Sequence, residues 1–252
     1  MSGHSKWSTI KHAKAITDAR RGKLFTKLAR EIIIAAGQGG ADTGMNIRLR
    51  MAIQKGRDAN MPNDNIERAI KRGTGEGGDA DQMVAFTYEG YGPGGTAILL
   101  ETLSDNKNRT VSDVRATLTK AGGNLAQSGA VAWQFQQKGV VVVNADEAAA
   151  EEFTLVAIDA GAEDFDSFDS TLQIFSPPEL LEDIRNTLSE KDASIVSSEL
   201  SMIPTSTISL DKKTALQTLR LLDLLEDLDD VQKVYSNADF PDDALEQYQE
   251  EE

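Results

Sequence analysis

Val140-Val141-Val142-Val143 opens a stretch that runs to Met202 and decides the fold. The four valines read as a strand, and Ala145 to Ala160 follows with helical spacing. Glu163 to Ser167 and Thr171 to Phe175 read as paired strands, Pro178 to Leu188 as a helix, and Ser194 to Met202 as a closing strand. The order is β-α-β-β-α-β, a complete split βαβ unit of the ferredoxin-like kind. A unit that closes on itself leaves its flanks to pair with each other. Upstream lie strands at Val84 to Tyr88, Thr96 to Leu103 and Ala130 to Phe135, with a helix over Thr110 to Lys120; downstream come a helix over Lys212 to Leu228 and a strand over Val231 to Tyr235. The expectation is an α+β multidomain chain in which one α/β domain (79–137 plus 204–238) is interrupted by a second, ferredoxin-like α/β domain (138–203). An acidic tail, 239–252, is expected to fray.

Further upstream, Gly73-Thr74-Gly75-Glu76-Gly77-Gly78 is the best linker in the chain, and it lies where the charge reverses. Residues 1–73 carry 15 Lys and Arg against 6 Asp and Glu, a net of +9, whereas residues 74–252 carry 11 against 35, a net of −24. The overall charge of −15 therefore conceals a basic module, residues 1–78, joined to an acidic body. This module reads as helical. Leu24, Leu28, Ile32 and Ala35 form one stripe of a helix over Thr17 to Ala36, and Arg20, Lys23, Lys27 and Arg30 line a neighbouring stripe. Ile47-Arg48-Leu49-Arg50-Met51 alternates as a strand would, but Leu49, Ala52, Ile53 and Gly56 fit a helix better. Pro62 starts a third helix, with Ile66, Ala69 and Ile70 on its inner face and Lys71-Arg72-Gly73 as a favourable end.

The cations Lys6, Lys11, Lys14, Arg20, Arg21, Lys23, Lys27 and Arg30, with Trp7 and His12 among them and only Asp18 opposing, make a docking surface for polyanions. Trp7 can stack on a base or lie as a lid on the helical domain. His4 and His12 have no Cys or carboxylate partners in reach along the chain, so neither a metal site nor a charge relay is expected. A second contact is expected from Tyr91, which belongs to the glycine-rich turn Tyr88 to Gly95, and from Lys107 and Arg109, near a helix start where Thr110 and Asp113 are spaced as a capping box.

The remaining patterns exclude more than they assign. The glycine-rich turn lacks the Gly-Lys-Ser/Thr ending of a P-loop and precedes a strand, so it reads as a hairpin turn. Glu163 to Asp169 lacks the central glycine and distal glutamate of a calcium loop and reads as a solvated strand edge. With no cysteine and no clustered acid, base or nucleophile, the chain is expected to be neither an enzyme nor a cofactor carrier. Met1 to Lys6 lacks the apolar core of a signal peptide, and Ile32–Ala36 and Val140–Val143 are far short of the ~20 residues that cross a bilayer, so a cytoplasmic location is expected.

Gly3-His4-Ser5-Lys6-Trp7, Lys11-His12 through Asp18, Arg21-Gly22-Lys23 and Phe25-Thr26-Lys27-Leu28, followed by Met61-Pro62 to Gly73, Tyr88 to Gly95 and Asp105 to Thr110, resemble the signatures of the YebC/PmpR family across the whole chain and in order. The resemblance implies a helical N-terminal domain followed by two α/β domains, the last inserted in the second. It also implies a DNA-binding transcriptional regulator. Mitochondrial relatives activate translation of cytochrome oxidase, and the family has also been assigned a ribosome-associated role in relieving stalling at proline-rich sequences, so ribosomal RNA and the ribosome are the alternative partners. One departure is Asn63, where many relatives carry Lys. The leading expectation is a regulator whose basic module neutralises about six phosphates of duplex DNA.

Overall fold

The computed structural model describes residues 18–76, 83–168 and 170–251. Contacts divide the chain into two compact units. One holds Ala15–Ser128 and Gln217–Val234; the other includes Gly129–Leu216 and Tyr235–Glu252.

The first unit begins with three helices, α1 (Asp18–Gly39), α2 (Ile47–Asp58) and α3 (Asn63–Thr74). Leu28, Ile32 and Ala35 of α1, Leu49, Ala52 and Ile53 of α2, and Ile66 and Ala69 of α3 form their common core. The helical spacing of α2 thus prevails over its strand-like alternation, and Ile47 and Met51, which a strand would have buried with Leu49, face outward. Asn46 joins α1 to α2. Its side-chain oxygen accepts from the Leu49 N–H at 3.0 Å, while its amide donates to the carbonyls of Ala35 at 2.7 Å and Gly40 at 2.9 Å. Helix α3 continues through Thr74 and ends on Gly75 at φ 77°, so the helix extends into the stretch read as linker.

Beyond it, β1 (Val84–Tyr91) and β2 (Ala97–Ser104) pair antiparallel from Val84↔Ser104 to Tyr91↔Ala97. The turn between them needs Gly94 at φ 72° and Gly95 at φ 76°, conformations that L side chains resist. Helix α4 (Lys107–Lys120) starts earlier than the spacing suggested. Its N-cap is Asn106, whose side chain accepts from the Arg109 N–H at 3.1 Å, so Thr110 and Asp113 are not the capping box expected. A two-residue strand, β3 (Asn124–Leu125), joins the far side of β1. The sheet is completed by β9 (Val231–Ser236), in the order β3-β1-β2-β9. Before β9 runs α7 (Lys212–Glu226), where Leu219, Leu221, Leu222 and Leu225 are fully buried.

The second unit contains β4 (Phe135–Asn144), α5 (Glu147–Asp159), β5 (Asp164–Phe168), β6 (Thr171–Ser176), α6 (Leu181–Glu190) and β7 (Ser194–Pro204). All neighbouring strands are antiparallel and the sheet order is β5-β6-β4-β7, which is the ferredoxin-like arrangement of a split βαβ unit. Val141, Val143, Leu172 and Ile174 meet Phe153 and Ala157 of α5 and Ile184 and Leu188 of α6. Acidic β5 is one of the two edge strands. Two expectations are corrected. Ala132–Gln134 is a single 3-10 turn and not strand, which begins only at Phe135. The acidic tail is a helix, α8 (Asp242–Glu250), since Ala244, Leu245 and Tyr248 form a buried stripe amid the charges. A short parallel pair joins β8 (Ile208–Ser209) to β10 (Ala238–Asp239).

Candidate nucleic-acid interface

Of the cations expected to grip phosphate, Lys6, Lys11 and Lys14 lie outside the described residues, as do Trp7 and His12. Arg20 falls within α1, and its side chain is likewise outside what is described. Arg21 is exposed on the same helix.

The stripe continues with Lys23, Lys27 and Arg30, and these three meet one acidic turn. Glu226-Asp227-Leu228-Asp229-Asp230 links α7 to β9 within the same unit. Lys23 pairs with Asp227 at 3.0 Å, in an exposed contact where the two side chains retain 43% and 61% of their accessibility. The Lys27 ammonium donates to the Glu226 carbonyl at 2.6 Å, at the end of α7 where the helix dipole is negative. Arg30 donates to the Asp229 carbonyl and pairs with the Asp230 carboxylate at 3.0 Å. In this last pair Asp230 is buried and Arg30 largely covered, at 7% and 14% accessibility. The sequence pattern placed these cations on one stripe; the fold sets an acidic chain against it.

Asp230 is the hub of a larger network that spacing alone did not reveal. It accepts from Thr110 Oγ1 at 2.7 Å, from Ser104 Oγ at 3.1 Å and from both Nε and Nη2 of Arg109, at 3.3 and 3.1 Å. Arg109 also pairs with Asp105 at 2.8 Å. Burial pushes the Asp230 carboxyl up, but hydrogen bonds from Thr110 and Arg109, the charge of Arg30 and the Ser104 hydroxyl together hold it below the ordinary aspartate range. Thr110 thus serves Asp230 and not a helix cap. Arg109, read as a second phosphate contact, is held by two carboxylates. Lys107 sits over the Phe86 ring at 5.2 Å, and its carbonyl accepts from the Tyr88 hydroxyl at 3.4 Å. Tyr91 ends β1 between Ala97 of β2 and Asn124 of β3, half-buried in the sheet and not at the tip of the turn. The signal for the hub was the acid run itself, four carboxylates in five residues, which composition assigned only to the acidic body.

A domain with three helices among its described residues, one of them carrying a cationic stripe, followed by α/β structure that includes a ferredoxin-like unit, defines a class of multidomain α+β protein. Residues 5–76 match the TACO1/YebC protein N-terminal domain and residues 83–238 the TACO1/YebC second and third domain, and the chain belongs to this family. A Dehalococcoides mccartyi protein named "probable transcriptional regulatory protein" is 53% identical over 248 residues, covering 98% of each chain. A protein of the same name from Halothermothrix orenii is 50% identical over 254 residues, covering 100% of each. The crystal structure of a conserved hypothetical protein from Aquifex aeolicus is similar with a TM-score of 0.84 and 45% identity, over 92% of this chain and 96% of that one. Among the described residues no helix is long and apolar enough to cross a membrane.

Proposed function

We propose that this chain is a DNA-binding regulator of transcription that docks on the phosphate backbone through its basic N-terminal module. The observation that carries the reading is the segregation of charge, +9 in residues 1–73 against −24 in the remainder, in a chain whose relatives are named transcriptional regulators. Solubility alone needs no such separation. Lys6, Lys11, Lys14, Arg20 and Arg21 are the principal phosphate contacts, with Trp7 and His12 beside them. Arg30 and Arg109 serve mainly to hold Asp230. Tyr91 and Lys107 remain candidates for a lesser contact. The acidic remainder is repelled by the same polymer, so the molecule docks with its basic module forward.

Phosphate contacts position a protein without reading sequence, and their number appears in the salt dependence. With about five phosphates neutralised on duplex DNA, log K falls against log salt with a slope near −4.5. Titration of labelled duplex with the full chain between low and physiological salt measures this slope. A flat response removes the reading.

A further inference from the structure

Resting on that reading, we infer that the turn Glu226–Asp230 is a built-in competitor for polyanions, occupying part of the cationic stripe of α1 until nucleic acid displaces it. Three consecutive cations of the stripe, spaced four and three residues apart, each meet the turn: Lys23 on Asp227, Lys27 on the Glu226 carbonyl, Arg30 on Asp229 and Asp230. The turn offers successive cations a row of acceptor oxygens, the carboxylates of Asp227 and Asp230 and the carbonyls of Glu226 and Asp229, much as a phosphate backbone does. Its carboxylates at Asp227 and Asp229 are exposed, and the end of α7 adds the negative pole of a helix.

The contacts are graded, and the gradient tells a competitor from a simple clasp. Asp230 is buried, pairs with the largely covered Arg30 and is held by Thr110, Ser104 and Arg109, so this end does not exchange. Lys23 and Asp227 are both substantially exposed and bound by a single contact of a kind that water and salt weaken readily. The stripe is therefore anchored at Arg30 and releasable at Lys23. Nucleic acid that reaches Lys23 would exchange one anion for another. The turn lowers affinity for weakly held polyanions and favours those able to displace Asp227 from Lys23.

The test compares the full-length chain with D227N in a salt titration of labelled duplex. E152Q serves as control, because it removes an equal charge from an exposed position on α5, and circular dichroism confirms that each variant is folded. D227N is expected to bind about two- to fivefold tighter than wild type at low salt. Its salt slope should be steeper by about 0.9, because Lys23 then neutralises a phosphate without uncovering a carboxylate that recaptures a counterion. E152Q should show neither the steeper slope nor more than a small rise in affinity. In the double variant K23A/D227N the gain should vanish. If wild type binds with the expected slope and D227N matches it, or matches E152Q, the turn is a structural clasp and the inference fails while the DNA-binding reading stands. If none of the chains binds, that reading falls and takes this inference with it. Binding by D227N alone would mean that the turn occludes the stripe completely, which supports the inference.

Discussion

Asp230 shows how a residue's neighbours, more than its type, decide what it does. It is buried, yet stays charged because two arginines and two hydroxyls converge on it. Replacing it with alanine leaves Arg30 beside no carboxylate in a nearly buried position, and D230A should lose about 3 kcal/mol of stability in urea unfolding. D230N keeps the shape and some hydrogen bonding and should lose less. The pH dependence follows from the depressed pKa. The unfolded chain binds this proton more readily than the folded one, so the group's stabilisation is fully present above the unfolded value near ~3.9 and is lost as pH falls through the lower folded value. Acid unfolding of wild type, compared with D230N, should therefore differ most above pH ~4 and converge below it. Arg30 was legible in the sequence as part of the cationic stripe of the basic module and Arg109 as a cation of the acidic body near a helix start. Their shared destination was not, because Asp230 lies 121 positions from Arg109 and no local spacing reports a contact of that reach.

At the scale of elements, periodicity carried most of the reading. The buried residues of α2 are Leu49, Ala52, Ile53 and Gly56, the set that favoured helix over strand. Close approach is what periodicity does not show. A Cβ at Gly73 would lie 2.3 Å from the Ile33 carbonyl oxygen and 2.8 Å from Ala36 Cβ, so α3 touches the backbone of α1 there. Backbone cannot yield as a flexible side chain does. G73A should lower stability by about 1–3 kcal/mol, seen as a drop in Tm, even though alanine is the better helix former. The misread elements have physical causes of the same kind. The 3-10 turn Ala132–Gln134 is rich in strand-favouring residues around it but too tightly turned to extend, and α8 was hidden because its short apolar stripe is outnumbered by acids. Helix α4 begins at Lys107 because the side-chain oxygen of its cap, Asn106, meets the Arg109 N–H, while Thr110 is turned toward Asp230.

Taken whole, the molecule carries −15, a figure that by itself argues against any polyanionic partner. Only its distribution along the chain argues for one. Replacing Lys6, Lys11 and Lys14 together by glutamine should reduce the salt slope of DNA binding by about 2.7 and weaken all duplex sequences alike, because contacts to phosphate carry no base information. A loss confined to one sequence would instead place these lysines at base edges. The measurement is the same titration, repeated on two unrelated duplexes.

Local pattern alone determined that this chain has a helical, cationic start and α/β structure beyond it, and it identified the ferredoxin-like order β-α-β-β-α-β, since strand and helix periods and turn residues are written within a few positions of each other. Tertiary structure alone decided which charges remain available. Whether a lysine meets solvent or a protein oxygen depends on where a segment some 199 residues away returns, as the Glu226 carbonyl does to Lys27, and electrostatic partnership is set by distance in space, to which the spacing of charges along the chain is blind.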